Sequence, residues 1–112
     1  MRQFLDYFKQ YLTPENLQTA ISQNLDLTNL IYNHYGLLTP QILPLFRAAM
    51  RLYWDIFEEA VTNVPRLRQA LMKNPKCRQI LQTPEAIKYI NEQCERLYTV
   101  TYNIVWGQVG PA

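Results

Sequence analysis

The segment Leu45 to Val61, LFRAAMRLYWDIFEEAV, constrains the fold more than any other part of the chain. On a helix turning about 100° per residue, Arg47, Arg51, Asp55, Glu58 and Thr62 gather on an arc of roughly 80°, with Glu59 just beyond it. The rest of the circumference is nearly all apolar. Leu45, Ala49, Leu52, Ile56 and Ala60 form one stripe, and Phe46, Met50, Tyr53, Phe57 and Val61 form a second beside it, with Trp54 at its margin. So narrow a polar arc predicts a central helix at about residues 44–62, covered by the first two segments on one stripe and by the last segment on the other. Pro44 has no N–H to return to the Pro40 carbonyl and crowds it, so the helix either kinks after Thr39-Pro40 or begins at Pro44. It should end near Asn63, before Val64-Pro65.

Similar signals divide the rest of the chain. Phe4, Leu5, Phe8, Tyr11 and Leu12 recur at helical spacing. Thr13-Pro14-Glu15 is a helix start: the threonine oxygen can accept from an orphan N–H, and proline at the first position loses nothing. Thr39-Pro40-Gln41 and Thr83-Pro84-Glu85 repeat it, and Asn74-Pro75-Lys76 is a looser version. Asp26 can cap a fresh helix that ends at Gly36, with His34 in its last turn. A short basic helix is expected from Pro65 to Lys73, and a turn or two from Pro75 to Leu81. In the last segment Ile87, Ile90, Cys94, Leu97, Thr101 and Ile104 form a helix-packing seam. Tyr98 to Ile104 also alternates as a half-buried strand would, so this segment reads as helix or as part strand. Gly107 and Gly110-Pro111-Ala112 are expected to end regular structure.

At 112 residues the chain reads as a single helical domain, 1–112. Three glycines are few for a sheet-rich or loop-rich fold. The first segment carries Asp6 and Lys9 within its apolar pattern, which argues against a signal peptide, and no apolar run approaches a membrane span. A cytoplasmic location with reduced Cys77 and Cys94 is the expectation. Net charge is +2, but Arg66, Arg68, Lys73, Lys76 and Arg78 fall within residues 60–84, where there is no acid.

Few residues point to catalysis. With one histidine, no site of two or three imidazoles can form in one subunit. The pairs Glu58-Glu59 and Glu92 with Glu95 suit solvated helix faces, and no glycine-rich phosphate loop is present. The chain is therefore expected to have no catalytic, metal or cofactor-binding residues and not to be an enzyme. The basic patch Arg66, Arg68, Lys73, Lys76 and Arg78 offers an alternative as a helical nucleic-acid-binding surface.

Aromatic content argues more strongly for protein binding. Eight tyrosines, four phenylalanines and two tryptophans are many for this length. Several stand beside charged residues, as interface aromatics do. The sequence thus predicts an all-α bundle of four to five helices acting as a non-enzymatic, homo-oligomeric adaptor or assembly factor. It would hold a segment of a larger partner in an apolar, aromatic-rimmed groove between the central and last helices, formed by Met50, Trp54, Tyr98, Tyr102, Val105 and Trp106.

Overall fold

The computed structural model describes residues 2–107, which form eight helices and, among the described residues, no strand. In order they are α1 (Arg2–Gln10), α2 (Pro14–Gln23), α3 (Leu27–Tyr35), α4 (Leu43–Leu52), α5 (Trp54–Thr62), α6 (Val64–Leu71), α7 (Pro75–Ile80) and α8 (Pro84–Val105). The all-α class is as expected. The number of helices exceeds four to five because the second segment divides at Asn24 and the central segment divides at Tyr53. The final segment is helical from Pro84 to Val105 and does not take the strand alternative, so its backbone polar groups are paired internally rather than left at an unmatched edge. The expectation for Gly110 to Ala112 lies outside the described residues.

Local caps set most boundaries. The side chains of Thr13, Asp26, Asn63, Asn74 and Thr83 each accept from a backbone N–H in the first turn of the helix that follows. Asn24 closes α2 and Gly36 closes α3 in the left-handed region, at φ 50° and 57°. Thr39 is the exception. Its hydroxyl donates to the Gly36 carbonyl, so it shapes the turn after α3, and α4 begins at Leu43 with Pro44 in its first turn.

The organising element is α8 rather than the Leu45 to Val61 segment. Its 22 residues bury Ala86, Tyr89, Ile90, Gln93, Cys94, Leu97, Thr101 and Val105, a three-four stripe along the whole length. One row of side chains on α8 holds the corner between α2 and α3. The Tyr89 hydroxyl donates to the Leu25 carbonyl at 2.6 Å, Gln93 Oε1 accepts from the Leu27 N–H at 2.9 Å, and Arg96 Nε donates to Asp26 Oδ2 at 2.8 Å. Farther along, Thr101 shares a buried 2.8 Å hydrogen bond with the Tyr32 hydroxyl of α3. Burial pushes the Tyr89 and Tyr32 phenols up to about 12, so both act as neutral hydrogen-bonding groups.

The α4–α5 segment runs antiparallel to α8: Trp54 lies beside Tyr102, and Glu58 beside Tyr98. If α4 continued straight from α5, Phe46 would sit about 12 Å beyond Trp54, past the end of α8. The chain instead breaks at Tyr53, where φ −111° and ψ 22° depart from helical values. The break swings α4 across the end of α8 and brings Phe46 to 5.7 Å from Phe4 and 5.8 Å from Tyr32, between ring centroids. Two arginines fasten that end. Arg47 Nε donates to the Ile104 carbonyl at 3.0 Å, and Arg51 donates through Nε and Nη2 to the Val105 carbonyl. The preceding carbonyls, Tyr102 and Asn103, accept from Trp106 and Gly107. All four terminal carbonyls of α8 are thus paired, with cationic side chains at the negative end of its dipole. Glycine is needed at 107 because a Cβ would stand 2.2 Å from the Asn103 carbonyl oxygen.

Two consequences can be measured. Gln93→Leu leaves the buried Leu27 N–H without its partner and is expected to cost about 1–3 kcal/mol in urea unfolding. Asp26 sits partly buried, which opposes its charge, but the Arg96 guanidinium and the Asn29 and Thr28 N–H groups outweigh that and lower its pKa. Its contribution to stability is present above its unfolded pKa and disappears as pH falls through the lower folded value. Asp26→Asn is expected to flatten the loss of thermal stability between about pH 5 and about pH 2, while still capping α3.

Candidate interaction surface

Tyr98, Tyr102 and Trp106 succeed one another every four residues along one side of α8, and α5 lays Trp54 across them. From the Trp54 ring the centroids of Tyr98, Tyr102 and Trp106 lie at 5.8, 5.8 and 6.0 Å, with Phe57 at 5.2 Å beneath. These are packing distances, with the rings tilted or edge-to-face to Trp54, so together they form a ledge. Its edges have partners within the chain. The Tyr98 hydroxyl donates to Glu58 Oε2 at 2.9 Å, and the Arg51 guanidinium lies 5.4 Å from the Trp106 ring centre. The hydrogen bond to Glu58, then burial, then the carboxylate charge raise the Tyr98 pKa.

Four of the six residues expected to bind a partner therefore do come together. Trp54 and Tyr98 are half-buried, and Tyr102 and Trp106 are exposed. Met50 and Val105 require correction. Met50 is 1% and Val105 0% exposed, because the Phe46-Met50-Phe57-Val61 stripe and the α8 seam both turn inward and supply core. The ledge is not a groove either. The rings pack on one another between α5 and α8, and a recess lies nearby, lined by Val61, Val64, Asn91 and Tyr98.

The larger uncovered surface is on the opposite side of α4 and α5. Leu45, Leu52 and Ile56 are 68%, 75% and 60% exposed, with Ile42 and Tyr53 also open to solvent. This is the first apolar stripe, whereas the sequence led to the expectation that both stripes would be covered, one by the first two segments and the other by the last. In the fold α1 and α3 cover the other stripe, through Phe4, Tyr32 and Phe46. The exposed stripe continues from Ile56 into an open groove of about 540 Å³ between α5, α6 and α1, where Leu5, Ala60, Leu67 and Ala70 line the floor. Asp55 and Glu59 from α5, Lys9 from α1 and Arg66 from α6 stand around it.

The basic residues do not share one site. Arg66 is 3.7 Å from Glu59 beside this groove, whereas Lys76 lines a different one with Pro14 and Glu15. Arg78 donates to the Met72 carbonyl, Arg68 is half-buried, and Lys73 is exposed. Cys77 and Cys94 are buried free thiols. Burial and the Glu15 charge raise Cys77, and burial takes Cys94 up to about 11. Such thiols are poor nucleophiles at neutral pH. His34 is engaged at the α1–α3 contact, stacked on Tyr7 with ring centroids 3.9 Å apart. Among the described residues no group of three or more His, Cys, Asp or Glu side chains is placed to hold a metal ion, and no helix is long and apolar enough to cross a membrane.

No protein-family model, characterised protein or solved structure matches the chain.

The two tryptophans are expected to behave differently. Trp54→Ala removes the ring on which the ledge packs and should cost about 2–4 kcal/mol in urea unfolding, whereas Trp106→Ala should cost less than about 1.5 kcal/mol.

Proposed function

We propose that this chain is a non-enzymatic protein-interaction module, an adaptor or assembly factor whose recognition surface is the outer face of α4 and α5 with the adjoining α5–α6–α1 groove. One observation carries the reading: Leu45, Leu52 and Ile56 stand mostly exposed along one stripe, while the stripe beside them is buried at Phe46, Met50, Phe57 and Val61 and open only at Tyr53. Exposing large aliphatic side chains in a row loses the transfer free energy of burial, roughly 1.5–3 kcal/mol for each, and contiguous patches of this kind on monomers mark binding sites. An amphipathic helix presenting apolar residues at three-four spacing fits a ridge with a groove beside it. The aromatic ledge serves a supporting role in this reading, since Trp54 holds α5 on α8 and so sets the direction of the exposed face.

Several features favour protein over nucleic acid or a substrate. The groove rim mixes two acids with two bases, whereas a phosphate-binding surface needs positive charge concentrated along one track. The cationic side chains of α6 and α7 are divided between separate grooves. Cys94 is buried, with its pKa up to about 11, and His34 is stacked on Tyr7, so neither has the setting of a nucleophile with its base.

Affinity capture from the source cell with the parent protein and with Leu52→Glu/Ile56→Glu tests this. Both substitutions lie on exposed positions, so helicity and melting temperature should be nearly unchanged. Proteins retained by the parent and lost by the variant are expected; identical capture by the two would remove this face from the reading.

A further inference from the structure

We infer that Tyr53 is a hinge through which two copies of this chain exchange their N-terminal halves. In the exchanged form α4 and α5 straighten into one continuous helix, and α1–α4 of each copy pack on α5–α8 of the other. The inference is independent of the proposed recognition surface.

The backbone at the break is the first argument. The Tyr53 N–H bonds to the Ala49 carbonyl, and the helical ladder resumes with the Phe57 N–H on the Tyr53 carbonyl. Helix α5 thus starts afresh at Trp54, without the ladder that a continuous helix would run from Trp54, Asp55 and Ile56 back to α4, and no side chain caps it. No proline or glycine stands between Leu45 and Val61, so no helix breaker opposes a straight segment that completes this ladder. The bend is held from outside, by the Arg47 and Arg51 bonds to the last carbonyls of α8. A straight α4 runs past the end of its own α8, so those arginines then need the α8 of another copy.

The fold divides at the same residue. Residues 2–52 and 54–107 each keep an aromatic cluster, Phe4 with Tyr32 and Phe46 in the first and Trp54 with Tyr98 and Trp106 in the second. Across the division run the bonds of Tyr89, Gln93 and Arg96 to the α2–α3 corner, the Tyr32–Thr101 bond and the two arginine clamps. These pairs are directional, and the buried ones strand polar groups unless they re-form, so a released half selects the complementary half of another copy over other surfaces. Exchange then repeats between chains the contacts made within one, and adds the ladder at each hinge.

The test unfolds the full chain in urea at high micromolar concentration, removes the urea and measures mass by sedimentation velocity. Alongside monomer, the parent is expected to give a species of twice its 13.3 kDa chain mass that outlasts dilution, because separating exchanged halves requires unfolding. Tyr53 is 44% exposed, so its replacement leaves the core intact. Tyr53→Ala favours the continuous helix and Tyr53→Gly the break; with two hinges per dimer, their association constants should differ on the order of tenfold or more. Arg96→Lys then reports which chain supplies each half. Ordinary and isotope-labelled chains of this variant are refolded together and treated with a carbodiimide, which links a carboxylate to an adjacent amine. In the dimer, the amide between Asp26 and the introduced lysine should join chains of different label, whereas in the monomer it should lie within one chain. Monomer alone from both the parent and Tyr53→Ala overturns the inference. So does a dimer whose amide stays within single chains, since that is association of closed surfaces.

Discussion

The polar face of α8 that meets the α2–α3 corner is the interaction on which the other elements depend. A chain that reverses direction between two helices exposes carbonyls and N–H groups, and burying such a corner against an apolar helix would strand them. Tyr89, Gln93 and Arg96 take the Leu25 carbonyl, the Leu27 N–H and the Asp26 carboxylate in turn. The corner can therefore lie flat on α8, and α3 then descends along α8 to the Tyr32–Thr101 hydrogen bond. With α3 in that position, Phe4 of α1 reaches Tyr32 and Phe46 and completes an aromatic core.

The opposite end of α8 imposes the second constraint. Its last carbonyls have no helical partners, and α4 supplies Arg47 and Arg51 to them. That connection requires α4 to cross the end of α8 while α5 lies along its side, so the segment breaks at Tyr53 although no proline or glycine marks the place. Both halves direct the Phe46-Met50-Phe57-Val61 stripe inward. With α1 and α3 against that stripe near Phe46 and α8 against it near Phe57, the stripe of Leu45, Leu52 and Ile56 faces solvent. The exposed face is thus a consequence of how the two ends of α8 are satisfied.

The proposed reading as a protein-binding module draws on this arrangement. The polar groups of the interior serve structure: Gln93, Thr101 and Tyr32 are bonded within the fold, and Cys94 is a buried thiol. The surface offers a long apolar ridge with balanced charge beside it. An apolar ridge gains by being covered.

Much of the architecture was legible in local sequence. Thr13, Asp26, Gly36, Asn74 and Thr83 act where their side chains or backbone freedom would place them, because a cap depends only on residues a few positions away. The middle of the α8 seam, Ile90, Cys94, Leu97 and Thr101, was equally readable from its spacing, while at its end Val105 rather than Ile104 is buried. Local pattern could also place Trp54, Tyr98, Tyr102 and Trp106 beside polar residues. It could not tell which of the two apolar stripes on Leu45 to Val61 would find neighbours, since both have the same periodicity and similar hydrophobicity. Nor could it show that part of the polar arc was committed elsewhere: Arg47 and Arg51 read as solvated, yet their partners are carbonyls more than fifty residues away. The sequence by itself determined an all-α chain, its punctuation and its supply of apolar surface. Only tertiary structure decided which surface stayed outside, because that depended on where the unpaired end of α8 met the arginines of α4.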